Sequence, residues 1–138
     1  MQTPNAPADP QLPSAHGSLS VLVVDDFRDA ADSLTDLLRM FGHGVHTAYD
    51  PASALAADRP DVVILELRLA GMDGWELVRR LRARDAGKRP LFIAVTTCGT
   101  EEDRRRSADA GIDLHLVKPV EPAFLVEEVR RLTRGGAG

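Results

Sequence analysis

A few residues stand where short apolar runs end, and their types suggest a chemistry. Asp25 and Asp26 follow Val21-Leu22-Val23-Val24, and Glu66 follows Val62-Val63-Ile64-Leu65. Thr96 and Thr97 follow Leu91-Phe92-Ile93-Ala94-Val95, and Lys118-Pro119 follows Leu114-His115-Leu116-Val117. Brought to one edge, the three carboxylates would repel one another, and a hard divalent cation is the natural counter-charge. Magnesium prefers oxygen ligands and keeps several waters, which suits a shallow acidic pocket. A lysine ammonium and a threonine hydroxyl opposite that ion would hold a phosphoryl group, or a carboxylate imitating one. Taken singly, Asp25-Asp26 reads as helix capping, and Thr96 and Lys118 as ordinary strand ends. Their joint placement makes them a candidate site.

The elements that position them follow from periodicity. The apolar runs are short, continuous and rich in β-branched residues, as expected of parallel strands covered on both faces. Val45-His46-Thr47-Ala48 is shorter and more polar and reads as an edge strand. Between the runs, Ala30, Leu34, Leu37, Leu38 and Phe41 keep helical spacing before a stop at Gly42. Leu77, Val78 and Leu81 form a second stripe, and Leu125, Val126, Val129 and Leu132 a third, opened at Glu121-Pro122. A segment from Thr100 to Ala110 begins with a cap-like Thr100 and Asp103, but has almost no large apolar residue, so its packing is expected to be thin. The expected fold is α/β: a single doubly wound (βα)5 parallel sheet with right-handed crossovers. Ligand chemistry in such sheets lies beyond the carboxyl ends of the strands.

Composition sets the limits. The chain has 138 residues, 43% of them hydrophobic and 28% charged, which suits one globular domain. The expected division is a flexible, proline-bearing segment over 1–18, the domain over 19–133 and a flexible tail over 134–138. One cysteine, Cys98, rules out an internal disulfide and fits a cytoplasmic protein. No apolar run approaches the roughly 18–20 residues that cross a bilayer, and no secretory signal is evident. A net charge of −4 argues against direct nucleic-acid binding.

Taken together, Val23-Val24-Asp25-Asp26, Gly71-Met72-Asp73-Gly74, Ala94-Val95-Thr96 and Leu116-Val117-Lys118-Pro119 closely resemble the receiver domains of two-component response regulators. The resemblance covers about Leu19 to Leu132 and implies the flavodoxin-like strand order 2-1-3-4-5. It implies that Asp25 and Asp26 position magnesium, that Arg68 lends the metal its backbone carbonyl, and that Thr96 and Lys118 clamp the phosphoryl group. It places Thr96 and His115 as switch residues, His115 standing where the family usually has an aromatic side chain. The implied output surface is the 100–110 helix, the strand near His115 and the last helix. The implied partners are a protein bound there and a sensor histidine kinase, the domain itself being a monomer or weak homodimer.

The resemblance breaks at Glu66, which stands at the family's phosphoacceptor aspartate and would also be a metal ligand. One extra methylene advances the carboxylate by roughly 1.2–1.5 Å. Phosphoryl transfer rests on in-line positioning, and a misplacement of about 1 Å can cost ~10²-fold. The expectation is therefore an atypical, non-enzymatic receiver with at most weak magnesium binding, in which Glu66 is a partial mimic of the phosphorylated residue. A phosphoryl group would carry nearly two charges, against one for the carboxylate. The alternative is a conventional magnesium-dependent phosphoacceptor of a hybrid kinase or response regulator, using Glu66 or a neighbour such as Asp73. A flavin-binding or phosphohydrolase domain lacks support, because no glycine-rich phosphate loop follows the first strand.

Other residues read more plainly. His16, His43, His46 and His115 show no zinc spacing. Arg104-Arg105-Arg106 reads as a solvated helix face, Trp75 as local packing and Cys98 as a small thiol.

Overall fold

The computed structural model describes residues 18–137, with side chains to Arg134. Five strands alternate with five helices: β1 (Ser20–Val24), α1 (Arg28–Met40), β2 (Gly44–Ala48), α2 (Pro51–Ala56), β3 (Val62–Leu65), α3 (Gly74–Arg84), β4 (Leu91–Thr96), α4 (Glu101–Ala110), β5 (Leu114–Val117) and α5 (Pro122–Ala137). The strands form one sheet in the order β2-β1-β3-β4-β5, every neighbouring pair parallel. This is the doubly wound, flavodoxin-like architecture expected from the alternating runs.

Alternation along each strand divides the core in two. Val21, Val23, Val62, Ile64 and Ile93 pack with Ala31 and Leu38 of α1 and Leu125, Val126 and Val129 of α5. Leu22, Val24, Val63, Leu65, Phe92 and Ala94 pack on the other face with Leu77, Val78 and Leu81 of α3 and Ala110 of α4. Burial on both faces is what keeps β1 apolar after Ser20 and β3 apolar throughout. β5, at the sheet edge, is only half-buried along its length.

Some elements depart from the expected stripes. Phe41 is the residue after α1 and is half exposed; Gly42 at φ +92° turns the chain there, so the apolar face of α1 ends with Leu38. Thr35 is buried instead, its hydroxyl 2.7 Å from that of Thr47 on β2. The short α2 is set by Asp50, whose side chain accepts from the Ser53 amide at 2.7 Å, with Pro51 in the first turn. The expected Thr100–Asp103 capping box is present. α4 buries only Ser107 and Ala110. α5 continues to Ala137, past Arg134, where the tail was expected to begin. The expected leader, apart from Ser18, lies outside the described residues.

Candidate functional site

Backbone hydrogen bonds carry the sheet one residue beyond the strands and thereby fix the site residues. The Asp25 amide donates to the carbonyl of Ala48, the Glu66 amide to that of Val24 at 2.9 Å, and the Lys118 amide to that of Thr96 at 2.8 Å. Each side chain therefore leaves the sheet at its carboxyl edge, at the reversal of winding between β1 and β3.

Glu66 is the centre of the cluster. It is buried, with 6% exposure, yet both oxygens of its carboxylate are partnered. Oε2 accepts the amide N–H groups of Leu67 at 2.8 Å and Arg68 at 2.9 Å, and the hydroxyl of Thr96. Oε1 meets the ammonium of Lys118 at 2.9 Å. The same ammonium lies 3.2 Å from Oδ2 of Asp25, whose Oδ1 accepts the Phe27 amide at 3.0 Å. Lys118 thus bridges two carboxylates.

Burial alone would disfavour the Glu66 anion, but the Thr96 hydroxyl, the Arg68 amide and Lys118 outweigh it and hold the carboxyl below its ordinary 4.5. Burial likewise works against the Lys118 cation, and Glu66 and Asp25 outweigh it, lifting the ammonium above its ordinary 10.5. Each charge favours the other.

The sequence-predicted residues are brought together unevenly. Asp25, Glu66, Thr96 and Lys118 meet in one cluster. Asp26 is exposed, and Arg68 reaches the site through its amide, with an exposed side chain. Thr97 is exposed at the rim of the pocket. Asp73 caps α3 by accepting the Glu76 amide at 2.9 Å, and its other oxygen faces Arg106 at 3.6 Å. His115 is half-buried, its ring between Ser107 and the Cys98 carbonyl.

Magnesium does not fit this donor set as arranged. Both oxygens of Glu66 and both of Asp25 are taken by N–H, O–H or ammonium donors, and Lys118 supplies the counter-charge that an ion would bring. Among the described residues, no group of three or more His, Cys, Asp or Glu side chains could hold a metal ion.

Sequence reading missed contributions that no side-chain type reveals. The Leu67 and Arg68 amides form a small nest beneath Glu66. Gly74 makes that nest possible: a Cβ there would lie 2.7 Å from Cα of Leu67 and 2.8 Å from the carbonyl oxygen of Glu66. The Gly71-Met72-Asp73-Gly74 motif carried that signal.

This edge cluster on a (βα)5 sheet defines a class. The family model described as the response regulator receiver domain matches residues 21–130, and the chain belongs to that family, the signal-receiving domain of two-component systems. It is similar to the transcriptional regulatory protein PrrA of Mycobacterium tuberculosis, 39% identical over 117 residues that cover 83% of this chain and 49% of that protein. It is also similar to the response regulator MprA of the same species, 35% identical over 120 residues, 85% of this chain and 51% of the relative. The chain spans about half the length of the curated relatives it matches. Among solved structures, the chemotaxis response regulator CheY4 of Vibrio cholerae superposes with a TM-score of 0.76 at 30% identity, covering 81% of this chain and 96% of that one. A CheY-like receiver from Methanospirillum hungatei gives 0.78 at 27% identity, covering 86% and 98%. Among the described residues, no helix is long and apolar enough to cross a membrane.

Proposed function

We propose that this receiver signals without accepting phosphate, Glu66 standing as a permanent, partial stand-in for a phosphorylated side chain. The observation that carries the reading is the simultaneous contact of Glu66 with the Thr96 hydroxyl and the Lys118 ammonium, the two groups suited to gripping a phosphoryl oxygen. A carboxylate already bound by both leaves a donor phosphate nowhere to be gripped, and the amides of Leu67 and Arg68 hold it in place. On this reading the domain is not an enzyme. It acts by binding a protein partner through α4, β5 and α5, as a monomer or weak homodimer in the cytoplasm. A sensor histidine kinase is a partner in docking rather than in phosphoryl transfer.

Magnesium has no required role in this reading. Asp25 and Asp26 are the side chains it would contact, and Lys118 competes for the first of them.

The test is incubation with a small acyl phosphate donor and magnesium, followed by intact mass. The natural chain is expected to stay unmodified and Glu66→Asp to gain one phosphoryl mass. Stoichiometric phosphorylation of the natural chain would overturn the reading and establish the conventional phosphoacceptor. Failure of Glu66→Asp as well would leave a receiver pocket that has lost transfer for other reasons.

A further inference from the structure

A cavity opens from the acid–base cluster into the layer between α1 and α5. Its volume is about 590 Å³, inside the range of roughly 300–1,000 Å³ usual for small-molecule sites. The floor is Val23, Ile64 and Val95 of β1, β3 and β4, and the walls include Leu34 of α1 and Leu125 of α5. The side chains that line it from the first two turns of α1 are mostly small, Ala30, Ala31 and Ser33, and they leave the space open. Phe27, just before α1, forms part of the wall with 62% of its surface in water. An apolar ring left this open beside an apolar hollow is surface that an occupant would cover.

The mouth of the cavity is charged unevenly. Asp25, Glu66 and Lys118 line it, so two carboxylates face one ammonium and negative charge is in excess. Lys118 is already engaged with both carboxylates. Oε2 of Glu66 accepts three donors and has no room for more. Each oxygen of Asp25 accepts one, although a carboxylate oxygen has lone pairs for about two. Asp25 is therefore the acceptor at the mouth that can take a further N–H, and an incoming anion would be repelled.

We propose that this cavity is a binding site for a compact amphipathic amine, its apolar body lying between α1 and α5 and its ammonium on Asp25. The apolar floor and walls supply the affinity, by removing both their own surface and that of the ligand from water. The charge at the mouth supplies the choice of head group, because only a donor bearing positive charge gains from both the open acceptor positions and the local field. The assignment does not depend on whether Glu66 accepts phosphate. It needs the hollow, the small residues of α1 and the unused lone pairs of Asp25.

The experiment titrates the full chain, 15N-labelled, with three molecules that share one apolar body: phenylbutylamine, phenylbutanol and phenylbutyrate. At neutral pH they carry a cation, no charge and an anion. Amide signals followed by NMR are expected to shift at Ala31, Leu34, Val120 and Leu125, which line the cavity. The amine is expected to bind about tenfold more tightly than the alcohol, and the acid more weakly than either. Asp25→Asn is expected to bring the amine down to the alcohol. Ala30→Leu narrows the cavity from α1 and is expected to abolish the shifts; if it does not fold, Val120→Phe narrows the cavity from the α5 side in its place. Binding of the acid as tight as that of the amine would overturn the assignment. So would the absence of binding by all three at millimolar concentration, shifts that map to another surface, or shifts that persist in a folded Ala30→Leu or Val120→Phe protein. Shifts at the same four amides on raising the protein concentration alone would show that a second copy of the chain fills the cavity, and would overturn it too. None of these readouts involves phosphorylation, so the amine site and the stand-in role of Glu66 fail separately.

Discussion

The ammonium of Lys118 lies 2.9 Å from Glu66 Oε1, close enough that each residue favours the charged form of the other. A pair with its acid buried and its base half-buried is costly to break from the lysine side, because the buried carboxylate keeps its charge without a partner.

Lys118→Ala leaves two adjoining carboxylates, Asp25 and Glu66, without their shared cation. The expected loss is about 3–5 kcal/mol of folding stability at neutral pH, read from urea midpoints. The same variant should bind magnesium more tightly than the natural chain, since the ion no longer competes with an ammonium. Unchanged magnesium affinity, followed through Trp75 emission, would show that Lys118 does not compete for the site.

The pH dependence has a definite sign. Glu66 is held below 4.5 in the fold, so its contribution is present above that value and is lost as pH falls through the folded value. Lys118 is raised above 10.5, so its contribution is present below that value and is lost as pH rises through the folded value. Glu66→Gln removes the acid-side loss. Denaturant midpoints of the natural chain should decline more steeply below about pH 4.5 than those of Glu66→Gln; parallel curves would refute the assignment.

His43 adds a second, milder slope. It is buried, its Nδ1 accepts the Leu19 amide at 3.1 Å, and burial pulls its titration below the ordinary 6.5. The folded chain therefore binds fewer protons than the unfolded one, and stability falls as pH drops below 6.5 until the folded value is reached. His43→Asn keeps an acceptor and loses the titration. Its melting temperature should be flatter between about pH 7.5 and 5.5 than that of the natural chain.

Gly74→Ala tests the nest under Glu66. The new Cβ would have to displace backbone atoms of Glu66 and Leu67, at 2.8 and 2.7 Å, as well as Cδ2 of Leu67. The expected cost is about 1–3 kcal/mol. Glu66 should also lose part of its amide support, visible as altered chemical shifts of the Leu67 and Arg68 amides. A stable variant with those shifts unchanged would mean that the loop yields without moving the carboxylate.

Much of this was legible in the sequence, for a physical reason. Parallel strands buried on both faces must be continuously apolar, so the first polar residue after each run marks the sheet edge, and Asp25, Glu66, Thr96 and Lys118 were found that way. Phe41 misled because helical spacing does not say where a helix stops, and the chain turns at Gly42 before that ring can reach the core. α2 was not singled out because Pro51–Ala56 has only one large apolar residue to mark a stripe. Ser107 had no signal at all. A serine on a charged helix is unremarkable until α3 and β5 bring Trp75 and His115 to it, and that contact depends on packing between elements far apart in the chain.

The stagger of the strands has a consequence for how this domain tolerates change. Val23 pairs with Ile64 and Val24 with Leu65, and Glu66 is the next residue along. Because neighbouring side chains on a strand face opposite ways, deleting one residue from β3 would swing the acid into a helical layer and present Leu67 to the cation. Lengthening a surface turn leaves that arithmetic untouched. The protein can therefore absorb insertions in its connections, while the counting of residues along its central strands is fixed to the single unit.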